Sequence, residues 1–288
     1  MIKAFIVIIT LLVVSCTTIE TKVEPPANIP IDENIKFINY LDNDWENNLI
    51  KNPLFASYVG DKRFNDKINS NSIDQFLNQK NSYKESLKIL QDIDISKLSD
   101  SNKLNYKLKE FGLMSSIGPD FPVYYLRLNQ RGGIQSFYET GNRLVYSSKK
   151  DYYDWYSRLK QFSSNIYSSL EINKAGLEKN ITQPKLVTKA VILQINSILN
   201  SSIEENPYLK VFKNADESFF LPNEKKLLIE NVKTLIENEI NPAYQKLNEF
   251  LQNEYLPKSR QTVGLEGVPG GKEYYEYLAR HFTTTDLT

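Results

Sequence analysis

The sequence predicts a mostly α-helical fold: a large multi-helix domain over residues 32–288, with a short strand or extended segment near residues 121–130. Three observations carry this expectation. Apolar residues recur at spacings of three and four through successive segments, as one buried face of a helix requires. Prolines fall between those segments or at their starts, where a missing N–H is tolerated. Only one stretch, Phe121 to Gly133, is instead β-branched, aromatic and glycine-ended.

The chain opens with Met1-Ile2-Lys3 and an apolar run from Ala4 to Val14. One positive charge before a short apolar run has the form of a secretory signal. The run is too short for a bilayer span, which needs about 20 apolar residues. Val13-Val14-Ser15-Cys16 follows, an aliphatic and small-residue approach to the only cysteine of the chain. This is the form of a lipobox: the thiol receives the diacylglycerol, and a small preceding residue lets the signal peptidase reach the bond. Residues 1–15 are therefore expected to be removed and Cys16 to become the lipid-bearing N-terminus. Thr17, not Asp, follows Cys16, which favours sorting to an outer membrane, facing the periplasm. Residues 16–31, with Pro25-Pro26 and Pro30, are polar and read as a tether from lipid to domain.

The helices follow in order. Phe37, Leu41, Trp45 and Leu49 define a face that ends before Pro53, and Ile73, Phe76, Leu77, Tyr83, Leu87 and Leu90 a second. Ser99 is placed as an N-cap, with Leu104, Leu108 and Phe111 as the buried face behind it. After the 121–133 stretch, a helix is expected from near Ile134. The longest helix should run from Lys149 to Leu177 with the stripe Tyr152, Trp155, Leu159, Phe162, Ile166 and Leu170, about 40 Å at about 1.5 Å per residue. Pro184 suits the first turn of a helix over Lys185–Ile203, and Asn206-Pro207 is a turn. Pro222 opens a further helix, with a kink or break expected at Asn241-Pro242 before it continues to Tyr255. Val268 to Gly271 reads as a loop and Lys272–Arg280 as a short helix.

Composition narrows the chemistry. The 35 basic and 35 acidic residues balance, which argues against nucleic acid, since such surfaces are basic. With one Cys the mature domain has no disulfide, so its stability must come from its core. The 18 Tyr against 14 Phe suggest ring edges at a polar cleft or, more simply, rim-of-core tyrosines with hydrated hydroxyls. There is a single histidine, His281, no H-E-x-x-H and no G-x-S-x-G. No catalytic or metal-binding set can be assembled from these residues. The final Thr283-Thr284-Thr285-Asp286-Leu287-Thr288 has the form of a helix start with nothing following it to be capped. The chain is therefore expected to be a truncated part of something longer.

Several stretches in order complete the reading: Pro53 to Asp66, Tyr124 to Gly133, Tyr152 to Leu159, Ala175-Gly176 leading to Gln183-Pro184, Pro242-Ala243, Tyr255 to Arg260, Pro269 to Leu278, and Thr283 to Thr288. Together they resemble the bacterial "domain of unknown function 885" family, whose full-length members look like zinc metallopeptidases. The resemblance implies a large helical fold with a deep substrate cleft, of which this chain is the N-terminal half. It also implies a zinc-binding H-E-x-x-P-G-H-H segment that this sequence lacks, so zinc is expected for the full-length family and no cofactor for this chain. The expected partners are membrane lipid through Cys16, a peptide substrate, and the missing C-terminal half.

Two readings follow. One is the N-terminal half of a peptidase-like lipoprotein, inactive alone. The alternative is a complete, non-catalytic helical lipoprotein that binds peptides or an envelope partner. If a cleft wall is built here, its candidates are Gln130, Arg131, Gly132 and Gly133, whose glycines let backbone approach a substrate, with Tyr274 and Tyr275, whose hydroxyls can orient carbonyls. A turn and a packed helix face are the plainer alternatives.

The lipid anchor is directly testable, because each buried methylene contributes about 0.8 kcal/mol and two or three acyl chains hold stably. Cells fed labelled palmitate should incorporate label into the wild-type chain and none into Cys16→Ser, which should leave the membrane fraction. Equal labelling of both would overturn the assignment.

Overall fold

The computed structural model describes residues 32–285. Cys16, the signal and the tether lie outside them. The described chain is a set of packed helices, with one isolated β-bridge between Pro184 and Arg260 and no sheet among the described residues.

The first part is a small helical layer. Helix α1 (Glu33–Lys51) and the short α2 (Pro53–Tyr58) are followed by α3 (Ile73–Gln91) and α4 (Asp100–Ile117). Ser99 caps α4 as expected, accepting from the Asn102 N–H at 3.3 Å. Phe37, Tyr40, Leu90, Ile93, Leu98, Tyr106 and Leu113 form its core. The face proposed for α4 is corrected: Leu104, Leu108 and Phe111 are 59%, 61% and 49% exposed, and α4 packs through Tyr106 and Leu113. Trp45 and Leu77 are likewise exposed, Trp45 resting its ring edge-on against Phe55. Neighbouring helices cover only one side of this layer, and these stripes lie on the other.

No strand forms over 121–130. Val123–Leu126 and Ile134–Ser136 are single 3₁₀ turns, joined by an irregular loop and followed by α5 (Tyr138–Arg143).

The centre is α6 (Lys149–Glu178). Every member of its predicted stripe is buried. Packed on it are α7 (Lys185–Leu199), which ends four residues before the expected Ile203, the short α8 (Lys210–Lys213), and α9 (Glu224–Leu235). The helix after Pro222 does not break at Pro242. It continues from α9 through a π turn (Ile236–Ile240), α10 (Asn241–Phe250), a second π turn (Leu251–Tyr255) and α11 (Leu256–Lys258). The physical reason is local. A proline clashes with the carbonyl four residues back. For Pro242 and Pro257 those carbonyls, of Asn238 and Asn253, lie inside the two widened turns, so the helix absorbs each proline without stopping.

Most tyrosines are half-buried or exposed, as rim residues are, but three depart furthest from that expectation. Tyr208, Tyr244 and Tyr255 are fully buried, and their hydroxyls are bonded by protein. Tyr244 donates to the Ile134 carbonyl at 3.0 Å, so its contact with the Tyr208 hydroxyl at 2.7 Å is a bond it accepts. The Tyr255 hydroxyl accepts from the Gln183 N–H at 2.8 Å. Burial pushes the Tyr255 hydroxyl up to about 12.

The last helix, α12 (Gly271–Thr283), is longer than the expected Lys272–Arg280. Thr283 closes this helix and Thr284 leaves it at φ 55°, so these two residues end an element where a helix start was expected. Asp286 to Thr288 lie outside the described residues.

One face of α6 holds the irregular segment between α2 and α3. Asp151 accepts from Lys62 Nζ at 2.9 Å and from the Ser147 N–H at 2.8 Å. Burial raises its pKa, but these donors outweigh burial and hold the carboxyl below its ordinary value. One and two turns on, fully buried Arg158 donates to the carbonyls of Pro53, Phe64 and Lys67 and to Ser57 Oγ, at 2.7–3.1 Å. Gln161 donates to the Asp66 carbonyl, and Asn165 bonds both Asn69 and Asn71. Arg158→Met would take a donor from three carbonyls, of which Pro53 keeps Ser57 Oγ and Phe64 keeps the Lys67 N–H while that of Lys67 loses its guanidinium partner. It should cost about 3–5 kcal/mol in urea unfolding of the mature chain. A loss below about 1 kcal/mol would show that the guanidinium is not what fastens this segment.

Candidate functional site

A cavity of about 810 Å³ lies where the 126–134 loop, α3, α5 and α6 meet. Gln130, Arg131, Gly132 and Gly133 all line it, so the structure brings these four sequence candidates to one wall.

The wall is built by amides. The Asn129 carbonyl accepts from the Gly133 N–H at 3.0 Å and from Gln135 Nε2 at 2.8 Å, while Asn129 Oδ1 accepts from the Arg131 N–H at 2.9 Å. From α7, Gln194 donates to the Gln130 carbonyl at 2.9 Å and accepts from Gln135 at 2.7 Å. Gln183 donates to the Leu126 carbonyl. The opposite side carries Asn71, Gln75 and Gln79, with Asn165 and Ser169 from α6.

The cavity also holds charge. Arg143 and Glu139 pair across one turn of α5 at 2.8 Å. Arg127 lies over the Phe76 ring at 4.2 Å, and burial of its guanidinium lowers its pKa. Its side chain still reaches solvent. Among the described residues, neither Arg127 nor Arg131 forms an ion pair with an acid.

Tyr274 and Tyr275 are not part of this wall. Tyr274 stacks on Phe121 at 4.2 Å and lines a separate cavity of about 540 Å³, beside Tyr277, whose hydroxyl donates to the Ser115 carbonyl. Tyr275 is 63% exposed. The two cavities adjoin only at Phe76 and Gln79 of α3.

Sequence reading missed Arg127, Gln183 and Gln194. Arg127 stands within the quoted Tyr124–Gly133 stretch, and its basic side chain was a usable signal. The glutamines carry no such mark, because an amide facing a cavity looks like any other amide on a helix.

The lone His281 sits in the last turn of α12 between Tyr277 and Phe282. The zinc that the resemblance implies for longer members finds no donor set here. Among the described residues no three His, Cys, Asp or Glu side chains gather closely enough to hold an ion. Among the same residues no helix is long and apolar enough to cross a membrane.

With this geometry in view, residues 53–288 match the family described as "Bacterial protein of unknown function (DUF885)". The chain belongs to the DUF885 family. A crystal structure of a "putative lipoprotein" from Colwellia psychrerythraea shares the fold, with a TM-score of 0.78 at 17% identity. The match covers 90% of this chain and 47% of that one, so this chain spans about half the length of that protein. No curated protein matches.

The two glycines of the wall differ in their demands. A Cβ on Gly133 would meet the Asn129 carbonyl at 2.5 Å and Gln135 Oε1 at 2.6 Å, whereas one on Gly132 meets nothing within 4 Å. Gly133→Ala should therefore lose about 1–3 kcal/mol and loosen the loop, read as faster hydrogen exchange over residues 127–137. Gly132→Ala should leave both unchanged. Equal behaviour of the pair would contradict this account of the wall.

Proposed function

We propose that this DUF885 chain is a lipid-anchored envelope protein that receives a peptide in the 810 Å³ cavity, and that it supplies the substrate-binding part, not the hydrolytic centre, of a zinc-peptidase-like protein. The cavity wall carries the proposal. An extended peptide offers one N–H and one carbonyl per residue, and side-chain amides both donate and accept. Asn71, Gln75, Gln79 and Gln183 supply such groups around a glycine-bearing loop. Lipobox-like Cys16 supports the anchor, and Thr17 after it supports the outer membrane, facing the periplasm.

The exposed apolar stripes support a further body packed against this domain. Leu104, Leu108, Phe111 and Met114 form one on α4, Leu186 and Leu193 mark α7, and Tyr275 and Phe282 mark α12, each side chain between 49% and 77% exposed. Contiguous apolar surface of this kind marks interaction sites. The Colwellia psychrerythraea protein has about twice the matched length, room for a body of comparable size. Hydrolysis and zinc would belong to that body.

Calorimetry with unstructured peptides on the mature chain tests the peptide reading. Measurable binding is expected. Gly132→Trp, placing bulk where a Cβ meets open space, should weaken it at least about tenfold (about 1.4 kcal/mol) with an unchanged melting temperature. Undiminished binding to that variant would move the peptide elsewhere.

A further inference from the structure

We infer that the cavity recognises the free carboxylate at the C-terminal end of a peptide, held by Arg127 and Arg131. This rests on the peptide reading above and specifies which part of the peptide the site selects.

The argument begins with charge. The chain as a whole is balanced, and within the cavity Arg143 is neutralised by Glu139. Two guanidinium groups, four residues apart on one loop, are left facing the same space without an acid. A cavity with surplus positive charge and few waters favours an anion. A guanidinium presents its N–H groups as a planar fork that matches a carboxylate with two parallel bonds. The Phe76 ring lies 4.2 Å beneath the Arg127 guanidinium carbon and holds the group at the cavity by a cation–π contact. The Arg131 backbone is fixed by Asn129, while its side chain stays available.

The rest of the lining excludes a polyanion. Beyond Arg127, Arg131 and the paired Arg143 and Glu139, the cavity offers amides, hydroxyls and apolar side chains such as Leu128, Ile134 and Phe137, which suit an uncharged chain carrying one terminal charge. Such a chain has somewhere to continue. Asn52, Gln75 and Gln79 also line a neighbouring groove of about 650 Å³ between α1, α3 and α4. Its lining balances two acids, Asp44 and Glu85, against two bases, Lys51 and Lys109, with Asp44 on Lys109 at 2.5 Å, and is rich in Asn, Gln and Ser. A peptide anchored by its carboxylate would run from the arginines past α3 into this neutral groove.

The test compares an N-acetylated Ala/Gln hexapeptide as free acid and as C-terminal amide, binding to the mature chain and to its Arg127→Gln and Arg131→Gln variants. The free acid is expected to bind at least about tenfold tighter, with the difference reduced in each variant, lost in the double variant, and weakened by salt. The amide's affinity should be the same for all four proteins. Measurable but equal binding of acid and amide would overturn the carboxylate inference and leave the peptide reading standing. No binding of either form would overturn both. Inorganic phosphate displacing the free acid at lower concentration than the amide form competes would reassign the arginines to a phosphate ligand and overturn the inference.

Discussion

Arg158 on α6 is the interaction on which the arrangement depends. A fully buried guanidinium is expensive unless its donors are met, and here the Pro53 carbonyl of α2 and those of Phe64 and Lys67, between α2 and α3, meet them. With Asp151, Gln161 and Asn165 it forms a polar ladder along one face of α6, next to the face that carries Tyr152 to Leu170. One helix therefore does two things. Its apolar stripe makes the main core, and its polar stripe fixes a segment that has no regular hydrogen bonding of its own.

The candidate site is a consequence of that ladder. Asn69 to Asn71 form one side of the cavity because Asn165 holds them there. The 126–134 loop forms the other side because Gln135, Gln183 and Gln194 hold its carbonyls. Beside Asn69 to Asn71, the first turns of α3 bring Gln75 and Gln79 to the same space. The two π turns serve the same economy. They let one long helix pass through Pro242 and Pro257 and keep Tyr244 and Tyr255 aimed at Ile134 and Gln183, behind the cavity.

Much of this was legible in the residues. The α6 stripe, the Ser99 cap and the turn at Asn206-Pro207 all follow from local rules, and each is present. The misreadings share one cause. Leu104, Leu108 and Phe111 do lie on one face of α4, but periodicity shows only that a face exists, not whether a neighbour covers it. Tyr274 and Gln130–Gly133 were grouped as one wall, yet α3 stands between their cavities. That separation depends on contacts far apart in the chain. The break allowed for at Pro242 is absent for a different reason. A π turn is a backbone adjustment with no residue signature.

The sequence by itself determined most of the helices and the family, because spacing, caps and ordered motifs are properties of neighbouring residues. Only the tertiary structure decided which stripes are core and which are bare surface. It also decided which amides meet around the cavity and that Arg127 and Arg131 face it without an acid. Those facts concern distance between residues remote in the chain, and burial and charge pairing exist only after the chain has closed upon itself.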